Sequence, residues 1–195
     1  MRDALKTLFY PFEAEALPLP AKGSRALFLG AEPGFRLPDG FGAGLKLVQG
    51  FRPQFLSLQG SGHDVAPRAE GEGYDLALVL AGRHRGLNEL RIADAIERTG
   101  EGGLIAVAGG KDDGIASLRK RIGGLVDIVD HLPKYHGAAF WFRRDEAAVA
   151  AAAALRADNP ETLVDGRFRA APGMFSFDRD DTGSRILVEH LLADI

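Results

Sequence analysis

The hydrophobic pattern of the chain is clearest in residues 74–122. Residues 76–81 form a continuous apolar run, as expected of a strand that is covered on both faces. A polar loop leads to Asn88, which stands in a good N-cap position, and apolar residues then recur at three-residue spacing up to Gly100. The pattern therefore predicts a strand followed by a helix that begins at Asn88.

The second half of this segment repeats the same order of elements. Residues 104–108 form a short apolar run closed by two glycines, and Asp112 and Asp113 can cap a helix with one apolar face. Strand, helix, strand and helix with short connections make the crossover unit of a parallel sheet. We therefore predict an α/β, Rossmann-like fold, with a mostly parallel sheet and helices on both of its faces.

Patterns elsewhere in the chain are weaker. Residues 1–24 contain aromatic side chains and several prolines, and they predict a packed segment without a regular element. Residues 26–30 predict the first strand, and residues 54–58 a second short one. Two further runs, 126–129 and 138–142, are close enough to pair as a terminal antiparallel hairpin.

From residue 146 to residue 157 the composition becomes alanine-rich, which strongly favours a helix. Asp158, Asn159 and Pro160 end this tract. Beyond them the chain changes character, and Asp180 or Asp181 can cap a final helix. We interpret residue 145 as the end of the sheet-forming part.

Composition mainly excludes classes of protein. The chain of 195 residues has no cysteine, so disulfides and thiolate metal sites are excluded. Twenty-four basic and 27 acidic residues give a net charge of −3, which is no whole-chain indication of nucleic-acid binding. No apolar run approaches the roughly 18 residues of a membrane span, and the first residues do not form a signal peptide. We expect a cytoplasmic protein without a membrane span.

Gly30 and Gly34 follow the first predicted strand and suggest a nucleotide-cofactor loop. Such a loop must feed directly into a helix, but Pro33 and Pro38 interrupt any helix here. The acidic residue that binds a ribose, expected about 20 residues further on, is missing from residues 50–55. The sequence therefore predicts a strand that ends in an irregular loop, and it argues against a nicotinamide-dependent oxidoreductase.

Basic residues follow both strands of the crossover unit. Arg83, Arg85 and Lys111, which we call the basic lip, stand after the carboxyl ends of these strands, where open α/β sheets bind ligands. Arg119 and Lys120 follow in the next predicted helix. The five residues could bind the phosphates of RNA, although charges in loops are more often merely solvated.

Other candidate residues are better explained by structural roles than by catalysis or ligand binding. The five histidines show no ligand spacing, so a metal site is not indicated. Asp112 and Asp113 could act as a carboxylate pair, but a capping role explains them more simply. Ser61 does not lie in a GxSxG motif, and Trp141 fits a core strand better than an RNA-stacking site.

Two segments resemble a known family. Residues 83–86 and the stretch LIAVAGGKDDGIASLRK resemble the N-terminal half of small-subunit ribosomal RNA methyltransferase C, with Gly114 and Ser117 at matching positions. Arg83 and Arg85 stand where the family has lysines, and the proline of that loop is absent. These bacterial enzymes use S-adenosylmethionine to methylate the exocyclic amine of a guanine.

The tail, APGMFSFDRDDTGSRILVEHLL, is similar to the start of a "methyltransferase small" domain. By this resemblance, five residues would flank the S-adenosylmethionine pocket of a full-length parent protein: Phe175, Ser176, Asp181, Gly183 and Ser184. The pocket itself and the catalytic Asn-Pro-Pro loop would lie beyond Ile195.

The resemblance implies a class I methyltransferase-like fold with a degenerate cofactor end in residues 1–145. Residues 146–195 would be a helical linker and the leading segment of a catalytic domain. The chain alone would be inactive and bind no cofactor. Its partners would be ribosomal RNA or the small ribosomal subunit, and the catalytic domain that it helps to fold. The alternative is a stand-alone RNA-binding or protein-interaction module with a decayed Rossmann-like fold.

Overall fold

The computed structural model describes residues 2–164, 168–174, 182–183, 186 and 190. The strands of its main sheet are β1 (Arg25–Leu29), β2 (Gly44–Val48), β3 (Val65–Ala66), β4 (Tyr74–Leu80), β5 (Thr99–Gly110), β6 (Ile128–Lys134) and β7 (Gly137–Arg143). The helices are α1 (Asp3–Glu13), α2 (Arg52–Gly60), α3 (Arg85–Arg98), α4 (Ile115–Gly123) and α5 (Glu146–Asp158). A separate antiparallel hairpin joins β8 (Thr162–Val164) and β9 (Phe168–Ala170).

The main sheet has seven strands in the order β3-β2-β1-β4-β5-β7-β6. The first five strands in this order are parallel, and β7 runs antiparallel to both of its neighbours. The predicted α/β class, the mostly parallel sheet and the antiparallel hairpin are confirmed. The strands β6 and β7 form that hairpin, with β7 inside the sheet and β6 at its edge.

Both faces are buried at the central strands β1 and β4, whereas the edge strand β6 is mostly exposed. Along β1, Ala26 and Phe28 pack into one core, whereas Leu27 and Leu29 pack into the other. The first core also contains α1, and the second contains α3, α4 and α5. This arrangement explains why the central strands are continuous apolar runs, since neither face meets water.

The expectation that residues 1–24 lack a regular element was wrong, because α1 occupies 11 of them. Leu5, Leu8 and Phe12 recur at helical spacing and are buried against the sheet. Pro11 lies inside the helix, where it removes one backbone hydrogen bond. Burial of the apolar stripe outweighs that loss.

The second predicted strand was also wrong, because residues 54–58 belong to α2. Pro53 stands in the first turn of that helix, where a missing N–H costs little. Strand β1 pairs with β4 on one side and with β2 on the other. The sequence did not indicate β2, because Lys46 interrupts its apolar pattern. The polar segment after α2, predicted as a surface loop, contributes the two-residue edge strand β3.

None of the helices in residues 2–164 is long and apolar enough to cross a membrane.

A buried carboxylate joins three helices behind the sheet. The Glu89 side chain is only 3% exposed, and its Oε1 accepts from Nε of Arg85 at 2.7 Å. Its Oε2 accepts from Nδ2 of Asn159, just past α5, at 2.7 Å. Arg121 of α4 lies 4.0 Å away. Glu89 therefore ties α3 to α4 and to the end of α5.

We expect Glu89→Ala to lower the free energy of unfolding by about 2 kcal/mol, because Arg85 and Asn159 would lose a charged acceptor that is itself buried. Urea denaturation followed by circular dichroism measures the change. Glu97→Ala on the same helix is the matched control, since that carboxylate is 41% exposed and its partner Arg156 keeps Asp94. We expect a loss below about 1 kcal/mol there. Equal losses in the two variants would contradict the special role of Glu89.

Candidate functional site

The order of the strands creates one crevice at the carboxyl edge of the sheet. From β1 the chain builds outward through β2 and β3, and it then returns to place β4 on the other side of β1. The loops that leave β1 and β4 therefore diverge. In open α/β sheets, ligands bind at such a switch point, outside the carboxyl ends of the strands. This crevice is where a nucleotide or adenosyl cofactor would sit.

In this chain a protein side chain lies across the switch point. Arg91 of α3 donates from Nη1 to the carbonyl of Leu80, the last residue of β4, at 3.0 Å. A Cβ atom at Gly30, just after β1, would lie only 2.7 Å from the same nitrogen. Gly30 also has a φ of +72°, so a side chain there would be strained as well as crowded. The glycine after β1 thus makes room for Arg91.

A second arginine, from the start of the chain, crosses the same edge. Arg2 donates to the carbonyl of Ala81 at 3.1 Å and lies 3.4 Å from Glu32, in the loop after β1. The same guanidinium is 3.6 Å from Asp113, in the turn after β5. Arg2 therefore links the ends of three parallel strands. The sequence offered no local indication of this role for Arg2 or Arg91.

These charges are partly removed from water. Burial lowers the pKa of the Arg91 guanidinium, and the carboxylate of Glu32 opposes that shift. Burial also raises the pKa of Glu32, against the opposing effect of Arg2. Arg2, which is 40% exposed, makes ion pairs with Glu32 and Asp113, which are 21% and 11% exposed. Arg91 has its hydrogen bond to Leu80 and the nearby charge of Glu32.

At the end of β2, too, protein groups already bond the polar side chain that faces the carboxyl edge. Gln49 follows this strand and is buried, and its Nε2 donates to the carbonyl of Ala31 at 2.7 Å. Its Oε1 accepts from the backbone N–H of Phe51 at 2.8 Å. A ribose would need a free carboxylate near this position. The residue present is a neutral amide whose polar atoms already have protein partners.

The loops after β4 and β5 differ from their sequence-based interpretation. The helix α3 begins at Arg85, so the prediction that Asn88 is its N-cap was wrong. Asn88 is instead buried, and its amide bonds both backbone polar groups of Gly82. Asp112 and Asp113 do not cap α4, because Gly114 precedes it; Asp113 instead caps the short 3-10 helix Lys111–Asp113. Asp113 accepts from the N–H of Gly110 at 3.0 Å, which holds the turn after β5.

The basic lip lies at the ends of neighbouring strands, because Leu80 of β4 pairs with Ala108 of β5. Its members are exposed, but only Arg85 is paired, with Glu89. Within the described part of the chain, Arg83 and Lys111 make no side-chain hydrogen bond or ion pair. The predicted RNA-binding residues Arg119 and Lys120 lie further along, in α4. Lys120 is exposed and Arg119 is half-buried.

The remaining predictions concern a metal site, Ser61 and Trp141. Among the described residues, no three His, Asp or Glu side chains cluster in a way that could hold a metal ion. Ser61 ends α2 and donates to the carbonyl of Ser57. Trp141 is 2% exposed in the core, which confirms its predicted place.

Four of the five residues with a predicted cofactor role lie outside the described residues: Phe175, Ser176, Asp181 and Ser184. The fifth, Gly183, is exposed. The described part of the tail packs on the start of α3, where Pro172 is buried. A Cβ atom at Gly86 would lie 2.8 Å from Cβ of Pro172, and one at Gly173 would lie 2.8 Å from Leu87. The tail thus passes beside the basic lip.

No family model and no curated protein matches this sequence. Solved structures do. The 16S rRNA N2 G1207 methyltransferase of T. Thermophilus, in complex with AdoMet and guanosine, is similar with a TM-score of 0.66 and 20% identity. The match covers 98% of this chain and 52% of that one, so the chain spans about half the length of that enzyme.

Two shorter matches have the same character. A fibrillarin/Nop5p complex gives a TM-score of 0.55 at 18% identity, covering 73% of this chain and 83% of that chain. A Haloferax volcanii complex of the Trm112 methyltransferase activator with a methyltransferase gives 0.54 at 10% identity, covering 71% and 90%. At such identities the likeness shows the fold alone, which is the class I Rossmann-like methyltransferase fold.

We expect Gly30→Ala to lower the free energy of unfolding by about 3 kcal/mol, because the new Cβ combines a strained φ with contacts to Arg91 and Leu80. Gly34→Ala is the control: its φ is +83°, but nothing lies within 4 Å of the added Cβ. That variant should lose about 1 kcal/mol from strain alone. Urea denaturation measures both, and similar losses would argue against a tightly filled crevice.

Proposed function

We propose that this chain is the N-terminal, non-catalytic half of an S-adenosylmethionine-dependent ribosomal RNA (guanine-N2) methyltransferase. Residues 1–145 are its degenerate methyltransferase-like domain. Residues 146–195 are a helical linker, packed back on that domain, and the leading segment of the catalytic domain. The observation that supports the proposal is that Arg91 and Arg2 lie across the switch point, the position at which open α/β sheets generally bind a ligand.

The contacts at the crevice support a domain that has the methyltransferase fold but no cofactor site. A cofactor site at the carboxyl edge needs an open glycine loop and a free carboxylate near the end of β2. Here the glycine is crowded by Arg91, and Gln49 is held by backbone groups. A cofactor would have to displace paired, half-buried charges, whose separation is costly. These features support a domain that has kept the methyltransferase sheet and lost its ligand.

The proposed task of the domain is to recognise ribosomal RNA within the small subunit, in the cytoplasm, and to assist folding of the catalytic domain. The RNA-binding residues are Arg83, Arg85, Lys111, Arg119 and Lys120. In the parent protein, Phe175, Ser176, Asp181, Gly183 and Ser184 flank the S-adenosylmethionine pocket. The packing of Pro172 and Gly173 on the start of α3 supports this arrangement, because it places that part of the tail beside the basic lip.

The reading frame downstream of Ile195 tests the architecture directly. Under the proposal it continues into a glycine-rich strand and an Asn-Pro-Pro loop. A stop codon directly after Ile195 would instead favour a stand-alone module.

Titration of the 195-residue chain with S-adenosylmethionine should give no binding heat, because Arg91 and Gln49 occupy the positions that a cofactor needs. Isothermal calorimetry at about 100 μM ligand covers the micromolar range. Binding with micromolar affinity would overturn the non-catalytic assignment.

Reversal of two charges tests the RNA surface. We expect the double change Arg83→Glu and Lys111→Glu to weaken RNA binding on the order of tenfold at low salt. It should also flatten the dependence of log K on log salt by about 1 per residue, since each residue neutralises a phosphate. Fluorescence anisotropy with a labelled ribosomal RNA fragment measures both quantities. Arg85 is left unchanged because it pairs with the buried Glu89.

The control is Lys22→Glu, an exposed lysine just before β1 at the opposite edge of the sheet. Lys22→Glu should change the affinity less than Lys111→Glu alone. Equal effects from these two single reversals would mean that net charge, and not the basic lip, determines binding.

A further inference from the structure

The turn between β6 and β7 holds two residues in a conformation that they rarely adopt. Lys134 pairs with Gly137, so Tyr135 and His136 form a two-residue hairpin loop. Their φ angles are +51° and +57°. Loops of this kind strongly favour Asn-Gly, because L-residues with a Cβ are strained at positive φ. Backbone strain of this kind is concentrated at functional sites, so the side chains of this turn call for an explanation beyond the turn itself.

The turn builds a compact group of rings and cations with α1. The Tyr135 ring meets the Tyr10 ring edge-on, with centroids 5.7 Å apart. Nζ of Lys134 lies 5.2 Å from the Tyr10 centroid and 5.7 Å from the Tyr135 centroid, and Nζ of Lys6 lies 5.7 Å from Tyr135. We call Tyr10, Tyr135, Lys6 and Lys134 the tyrosine platform.

A hydrogen bond fixes the two halves of the platform to each other. Thr7 of α1 is buried, and its hydroxyl proton is shared between two carbonyls, that of Lys134 at 3.0 Å and that of Asp3 at 2.9 Å. Tyr10 and Tyr135 are each partly exposed. The turn that carries Tyr135 is thus held against the helix that carries Tyr10.

The platform adjoins the basic lip. Gly110 at the end of β5 pairs with Gly137, and the N–H of Lys111 donates to the carbonyl of His136 at 2.9 Å. Two acids lie at this surface: Asp3, which pairs with Lys6 at 3.0 Å and lies 3.7 Å from His136, and the exposed Asp112 next to Lys111. Among the described residues Lys134 and Lys111 have no carboxylate partner, so the surface that joins platform and lip keeps positive charge.

We propose that the tyrosine platform binds an unpaired nucleobase of single-stranded RNA by stacking, while Lys134 and Lys111 bind the neighbouring phosphates. Aromatic rings interleaved with cations are the features that single-stranded nucleic acids require. A lipid surface would instead call for projecting aliphatic side chains, and the exposed large apolar residues of the described chain lie elsewhere. The inference rests on the proposed function, since it specifies which part of the RNA this half recognises.

The double variant Tyr135→Asn and His136→Gly tests the proposal, because it installs the preferred Asn-Gly turn and removes the ring. The melting temperature should stay the same or rise by a few degrees, on the order of 3 °C. Affinity for a labelled single-stranded 12-mer RNA should fall about tenfold in fluorescence anisotropy. A purely structural role for Tyr135 would instead lower the melting temperature.

Two matched variants separate the ring from the turn. His136→Gly alone relaxes the turn and keeps both rings, and Tyr135→Phe keeps the stacking surface. Both should bind the 12-mer within about threefold of the unchanged chain, far from the tenfold loss expected without the ring. An abasic 12-mer should bind the unchanged chain about tenfold more weakly than the intact 12-mer does. The Asn-Gly variant and the unchanged chain should bind the abasic 12-mer equally well.

The outcomes distinguish this inference from the proposed function. Unchanged affinity of the Asn-Gly variant would overturn the platform, and Arg83→Glu alone, which changes no residue of the platform or of its phosphate contacts, would still test the basic lip separately. Equal losses on intact and abasic RNA would indicate an anion site without stacking. Tight binding to vesicles with anionic lipid, abolished by the same variant while RNA binding persists, would assign the surface to membranes. No RNA binding by the unchanged chain would overturn both proposals.

Discussion

Burial of the parallel sheet on both faces is the constraint on which the rest of this structure depends. Successive side chains of β1 enter opposite cores, and both cores are apolar. Polar and charged groups therefore gather mainly at the ends of the strands and on the outer surfaces of the helices, apart from groups such as Glu89 that are buried with their partners. The carboxyl edge is where polar side chains from several strands and loops come together.

Two parts of this edge have opposite electrostatic character. At the switch point, Arg2 and Arg91 are matched by Glu32 and Asp113, and their donors reach the carbonyls at the end of β4. Further along the edge, Lys111 and Arg83 are exposed and unpaired within the described residues. Paired charges in a half-buried crevice resist an incoming ligand, whereas unpaired charges in water attract anions. This contrast favours an RNA surface over a cofactor pocket.

The proposed roles also agree with the path of the chain. The tail packs on the first turn of α3, immediately after Arg83 and Arg85, so a catalytic domain that follows it would begin near the RNA surface. The tyrosine platform lies on the other side of Lys111, where α1 meets the hairpin. One edge of the sheet thus brings together the basic lip, the platform and residues 171–174 of the tail.

The sequence by itself determined the central crossover unit, the hairpin and α5, because each is a continuous segment whose hydrophobic period reports burial directly. It also indicated that the loop after Gly30 does not feed a helix. The tertiary structure alone decided that α1 tolerates Pro11 and that α2 replaces a predicted strand, since both helices are stabilised by packing on the sheet. It alone placed Arg2 on Ala81, 79 residues away, and Thr7 on Lys134, 127 residues away. Local periodicity carries no information about such contacts, because they depend on how distant segments are brought together around the buried sheet.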